Sequence, residues 1–167
     1  MQVTFQHILF IIFGAITLGA ALLMVTRRNV FHAALFMILS FFGVAGLYVL
    51  LEAPFLAAVQ LFIYIGGIAI LIIFAIMLTR EMMNPRLPGA NRQWWAAALV
   101  AVALCGVLGW VVLNHNWGAA PGPVPEHSIA ILGTALVDPE GFVLPFEVAS
   151  VLLLVALIGA VTIARER

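Results

Sequence analysis

The chain has no lysine; its seven basic residues are all arginine, and with seven acidic residues they bring the formal net charge to zero. Nothing in that balance attracts a nucleic acid or an acidic substrate. Charge of either sign is scarce. Asp, Glu, Lys and Arg make up 8% of the 167 residues, where a soluble domain carries about a quarter. Cysteine occurs once, as Cys105 inside an apolar run, which excludes a disulfide framework and a cysteine-held cluster and leaves the thiol as a small packing residue. A basic leader is missing as well. The first apolar run follows no arginine and is longer than the roughly 7 to 15 residues of a signal-peptide core, so it is expected to be a retained span.

What is abundant is apolar. Hydrophobic residues are 65% of the chain and the mean hydropathy is +1.22, the composition of an all-α integral membrane protein. A transmembrane helix needs about 20 apolar residues, and five such spans fit, at about 3–26, 30–51, 54–79, 93–113 and 142–164, within one membrane domain over residues 1–167. Their edges carry signals. Asn29 suits the N-cap of the second span, and Pro54 the first helical position of the third. Only Glu52 and Ala53 separate those two spans, which makes them antiparallel neighbours. Trp94, Trp95 and Trp117 bracket the fourth span as an aromatic belt would. The longest connection, 114–141, contains PGPVP and no basic residue.

The arginines orient the chain. Arg27 and Arg28 follow span one, Arg80, Arg86 and Arg92 separate spans three and four, and Arg165 and Arg167 follow span five. With five alternating spans all of them fall on one side, opposite Glu52, Glu126, Asp138 and Glu140. The positive-inside rule then puts the N-terminus outside, in the periplasm, and the C-terminus in the cytoplasm.

An ionisable side chain inside a membrane is a functional signal, and here no Asp, Glu, Lys, Arg or His lies near the middle of a span. The chain by itself therefore has no group to hold and release a proton at the membrane centre. Glu147, a few residues into span five after Pro145, is the partial exception. A first-turn carboxylate favoured by the helix dipole explains it, and a secondary role in a proton path is the alternative. His7 and His32 read as interfacial. His115 and His127 share the outer loop with Glu126 but lack metal-ligand spacing, and no nucleotide, haem or nucleophile motif occurs. No catalytic, cofactor-binding or metal-binding residue is assigned. Gly43 and Gly46, Gly106 and Gly109, and Ala156, Gly159 and Ala160 offer flat surfaces for close helix approach.

The third span is the unusual one: PFLAAVQLFIYIGGIAILIIFAIMLT, from Pro54 to Thr79. As a helix it would run roughly 39 Å. Ala57, Gln60, Tyr64 and Gly67 are spaced 3, 4 and 3 residues apart, so on an α-helix they share one small and polar face. Gly66 and Gly67 point in different directions, and each lowers helix propensity by about 1 kcal/mol relative to Ala. They mark a place where the backbone can hold a π-bulge or change its twist. A static, close-packed helix fits the same residues.

Several stretches resemble one family. They are NVFHAAL from Asn29, FLAAVQ from Phe55, YIGGI from Tyr64 with FAIML from Phe74, and LPFEVASVLLLVALIGA from Leu144 to Ala160. In order and position they are similar to the J subunit of bacterial NADH:quinone oxidoreductase, respiratory complex I, the equivalent of mitochondrial chain 6. The resemblance covers spans two, three and five strongly and span one by position. Glycine stands at 67 where many members have alanine.

The resemblance implies a multi-pass subunit of the bacterial inner membrane with no redox centre. It would couple quinone reduction to proton translocation through a third helix whose π-bulge forms and relaxes. Tyr64, Gly66 and Gly67 would be the conformational gate, Gln60 would line the same proton path, and Glu147 would be a secondary candidate. The whole complex would use NADH, FMN, iron–sulfur clusters and quinone on or near other subunits, with none bound here. The partners would be the K subunit, the quinone-site H subunit, the antiporter-like subunits and the lipid bilayer. A subunit of a multisubunit cation/proton antiporter and a purely structural scaffold are the alternatives.

Overall fold

A computed structural model describes residues 2–79, 93–116, 118 and 127–165. Every regular element among them is helical: α1 (Gln2–Thr26), α2 (Val30–Leu50), α3 (Pro54–Val59), a π-helical segment (Gln60–Ala69), α4 (Ile70–Leu78), α5 (Trp94–Asn114), α6 (Ser128–Val137) and α7 (Val143–Ala164). Five stretches are long and apolar enough to cross a membrane: Phe5–Thr26, Val30–Leu50, Pro54–Leu78, Trp94–Asn114 and Val143–Ala164. They agree with all five expected spans to within two residues at either end. The third span is α3, the π segment and α4 joined end to end.

The chain divides into two compact units, Met1–Ala120 and Pro121–Arg167. In the first, α1 pairs with α2, and the third span packs back on α2. The turn from α1 to α2 is closed by Asn29, whose side-chain oxygen accepts from the backbone N–H of Phe31 at 3.0 Å and of His32 at 3.3 Å. Two of the four N–H groups left open at a helix start are thereby satisfied.

α2 ends in a Schellman turn. Ala53 N–H donates to Tyr48 O at 3.0 Å and Glu52 N–H to Val49 O at 3.1 Å, the paired bonds that define the motif. Its left-handed position belongs to Glu52, with φ 56°, where glycine is the usual occupant because a Cβ crowds that conformation. Pro54 then opens α3 at a position where its missing N–H costs nothing.

Small residues set the α1–α2 distance. A Cβ added at Gly43 would collide with Thr17 Oγ1, and one at Gly46 with the Phe13 ring. Ser40 Oγ donates across the gap to Thr17 O at 3.1 Å. The buried positions are mostly small too: Ala20, Ala34, Gly43, Ala45, Ala57 and Ala69, with Met37 and Ile76. This is the packing expected where lipid removes any hydrophobic drive and close backbone approach supplies the contact.

In the second unit a ten-residue helix, α6, occupies part of the stretch the sequence presents as a connection. It starts at His127, whose φ is 67° and which forms no side-chain cap, so the usual N-terminal signal is missing. The turn from α6 to α7 needs Gly141. A Cβ there would lie 2.7 Å from Ala135 O, beside the bond from Phe142 N–H to the same oxygen at 2.9 Å.

No residue of α5 or α7 is buried. Nothing lies within 4 Å of the Cβ positions of Gly106, Gly109 and Gly159, so within its own unit neither span four nor span five uses these glycines for packing among the described residues.

Candidate functional site in the third span

The site starts as an ordinary helix and changes pitch without a break. Val59 and Ile70, on either side of the π segment, both keep right-handed helical dihedrals, at φ −57°, ψ −44° and φ −63°, ψ −43°. A π-helix needs no unusual φ; it needs i→i+5 bonding with poorer packing along the axis, and it is uncommon beyond a single turn. Here it lasts ten residues, from Gln60 to Ala69, and takes in Tyr64, Gly66 and Gly67.

Packing does not account for the two glycines. A Cβ at Gly66 would lie 3.4 Å from Leu61 O and one at Gly67 3.9 Å from Phe62 O, ordinary contacts with the helix's own carbonyls. A methyl fits at either position. The contrast with Gly43 and Gly46 is direct: those are held by a neighbouring helix, these by nothing else among the described residues.

The π segment resets which residues face inward. Ala57, Gln60, Ala69 and Ile76 are the buried positions of the third span. Gln60 is 7% exposed and Ala69 0%, and they are nine residues apart. At 3.6 residues per turn, nine residues make about two and a half turns and leave the pair on opposite faces. With i→i+5 bonding, at about 4.4 residues per turn, nine residues make about two whole turns and bring them into line. The face expected from α-helical spacing therefore holds at Ala57 and Gln60 and fails at Gly67, which is exposed. Leu71 and Phe74, which continue that α-helical face, are 71% and 60% exposed.

Tyr64 ties the segment to α2. Its ring meets Phe41 edge-to-face, with centroids 5.6 Å apart and planes at 73°, a favoured aromatic geometry. The residue is 43% exposed, and its hydroxyl finds no hydrogen-bond partner among the described residues. An apolar crevice of about 260 Å³ opens nearby between α1, α2 and the third span, reaching Ala57 and Leu61. Gln60 and Tyr64 do not line it.

The model of the family described as NADH-ubiquinone/plastoquinone oxidoreductase chain 6 matches residues 20–163. The chain belongs to this family. It is 36% identical over 163 residues to NAD(P)H-quinone oxidoreductase chain 6 of Synechocystis sp., covering 96% of this chain and 81% of that one. It is 40% identical to the chain of the same name from Leptolyngbya boryana, covering 96% and 80%. It is also 37% identical to F(420)H(2) dehydrogenase subunit J of Methanosarcina mazei, covering 90% and 85%. This chain is thus a subunit of the NAD(P)H-quinone oxidoreductase, or complex I, type.

The matched region of this chain 6 member contains Gln60, Tyr64, Gly66 and Gly67, which one helix brings together, and Glu147, which belongs to α7 in the second unit. α7 has no acidic residue in its first turn: Glu147 is the fifth residue of the helix, counting from Val143, and is exposed. The expected first-turn placement is thus missed by one residue, and a side chain there still leans back toward the helix start. His32 sits in the first turn of α2, its ring edge-to-face with Phe31 at 6.2 Å. Spacing alone did not signal Phe41 or Ala69, the residues that fix the phase of the third span; both are ordinary apolar positions in the sequence.

Proposed function

We propose that this chain is the switchable membrane subunit of a proton-translocating NADH:quinone oxidoreductase. It couples quinone reduction to proton movement by interconversion of the Gln60–Ala69 segment between π and α forms. What carries the reading is the phase of the third span: Gln60 and Ala69 share a buried face only through the π geometry. Conversion to α turns everything from Ile70 to Leu78 by roughly half a turn. Ala69 and Ile76 then leave the buried face, and Gly67, Leu71 and Phe74 replace them. Gly66 and Gly67 are the pivot, Tyr64 the contact that is made or released, and Gln60 the fixed polar lining. The chain offers no titrating group at mid-span, so the protons travel on carboxylates of neighbouring subunits, the K subunit foremost, with the quinone-site H subunit and the antiporter-like subunits beside it. Glu147 is a secondary participant.

In this reading the five spans act as one domain of the bacterial inner membrane, N-terminus outside, with no redox group of their own. NADH, FMN, iron–sulfur clusters and quinone belong to or lie beside other subunits. The relatives' names carry two different donors, NAD(P)H and F(420)H(2), which supports placing donor choice outside this chain. The test is Gly67→Val in the assembled complex, with quinone reduction and proton uptake measured together. Reduction that persists while pumping falls supports the switch. Normal coupling overturns it.

A further inference from the structure

Ala69 is 0% exposed, while the other buried alanines, Ala20, Ala34, Ala45 and Ala57, all keep some contact with solvent. The element that packs on the π segment from outside the third span is α2, so the Ala69 methyl is closed off between α2 and its own helix. A place that encloses one methyl completely has no room for a longer side chain unless a helix moves.

Gly67 reaches the same place by the other helical form. Counted from Gln60, Ala69 is nine residues on and makes about two turns at about 4.4 residues per turn. Gly67 is seven residues on and also makes about two turns, at 3.6 residues per turn. Two turns advance about 10 Å along the axis in either form, because the π-helix has more residues per turn and a shorter rise for each. Direction and height therefore both coincide. In the π form Gly67 is exposed, and a Cβ there would meet only Phe62 O of its own helix among the described residues. Nothing in that form requires residue 67 to be small. A place closed around a single methyl does require it, since it admits glycine or alanine and nothing larger.

We infer that α2 carries one alanine-sized slot that two residues occupy in turn, Ala69 in the π form and Gly67 in the α form, and that the size of each sets which form is allowed. This rests on the interconversion proposed above and adds to it Ala69 as a positioning residue. The two positions have opposite consequences. A large side chain at 69 bars the π form, and one at 67 bars the α form. If the glycine were a flexible pivot and nothing more, the size of residue 69 would not select a register.

Cryo-electron microscopy of the assembled complex reads the register directly, from the directions of the side chains at Leu71 and Ile76, and proton uptake per quinone reduced is measured on the same preparations. Ala69→Leu is expected to make residues 60–69 α-helical, with Leu71 turned toward α2 and Ile76 turned away. Gly67→Leu is expected to hold the π form both at rest and during turnover. Ala69→Ser, close to alanine in size, should keep the wild-type register. Persistence of the π form in Ala69→Leu, or an α form in Gly67→Leu, overturns the inference. If Ala69→Leu does not assemble, Gly67→Leu decides alone, because position 67 is open in the π form. Failure of both to assemble would mean that the two positions are filled at once, and also overturns it. Register and coupling can fail separately. Registers that lock as stated, with normal proton uptake in both variants, support the slot and remove the switch. Uncoupling in Gly67→Val without any locking of register removes the slot and leaves the switch.

Discussion

Gln60 and Ala69 are both buried although nine residues separate them, and only a helix of wider turn can place them so. The third span is thus two apolar helices set half a turn out of α-helical phase, with the offset held between Gln60 and Ala69. Anything that removes the offset moves the whole of α4.

Alanine at both glycines should favour the α form. Each substitution adds up to about 1 kcal/mol of α-helix propensity, and neither methyl meets more than an ordinary contact. Gly66→Ala/Gly67→Ala is expected to assemble normally and to lower proton uptake per quinone reduced, read by a pH-sensitive dye in proteoliposomes. Unchanged stoichiometry would mean the glycines are not the pivot.

Tyr64 separates contact from chemistry. Tyr64→Ala removes the edge-to-face contact with Phe41, an interaction of about 0.5–1.5 kcal/mol beyond its buried area, and should change coupling. Tyr64→Phe keeps the ring and loses only the hydroxyl. If the hydroxyl lines a water path, the Phe variant pumps less at equal quinone reduction. If the residue is scaffold only, the Ala variant loses assembly and activity together and the Phe variant resembles wild type.

Glu147→Gln keeps the shape and removes the titration. If Glu147 belongs to the proton path, a lowered pumping rate in an intact complex is the expected outcome, and full pumping would retire the residue from that path.

The α2–α3 turn gives a prediction independent of function. Glu52 holds φ 56°, a conformation costing a residue with a Cβ about 1 kcal/mol or more. Glu52→Gly should leave thermal stability unchanged or raise it by up to about 1 kcal/mol, the gain reduced by glycine's larger unfolded-state entropy. Glu52→Val should lower it, because a branched Cβ suits this conformation worst. Thermal unfolding of the purified complex distinguishes the two.

Gly46→Leu should prevent the α1–α2 pairing, since even a Cβ meets the Phe13 ring. Overpacking of this kind costs about 1–3 kcal/mol, so incorporation of the chain into the membrane complex, measured by native gel, should drop. The same change at Gly106, where nothing lies within 4 Å, reports instead on a neighbouring subunit or lipid.

Much of the architecture follows from the linear order of residues. Span number and limits depend on the length of uncharged runs, which bilayer thickness reads directly. The Asn29 cap and the Pro54 start are local, decided by side chains within four residues of the helix end. The glycine pair in the third span likewise marks a weak point without any neighbour in view. α6 escaped because a short apolar helix with no capping side chain resembles a connection.

The amino-acid sequence by itself determined five membrane spans, where they turn, and which of them has the residues to hold a π segment. The tertiary structure decided which way α4 faces. Helical phase is cumulative, so ten residues of π geometry invert every assignment beyond them. Local spacing cannot reveal that inversion; only burial on α2, with Phe41 against Tyr64 and Ala69 closed off from solvent, fixes it.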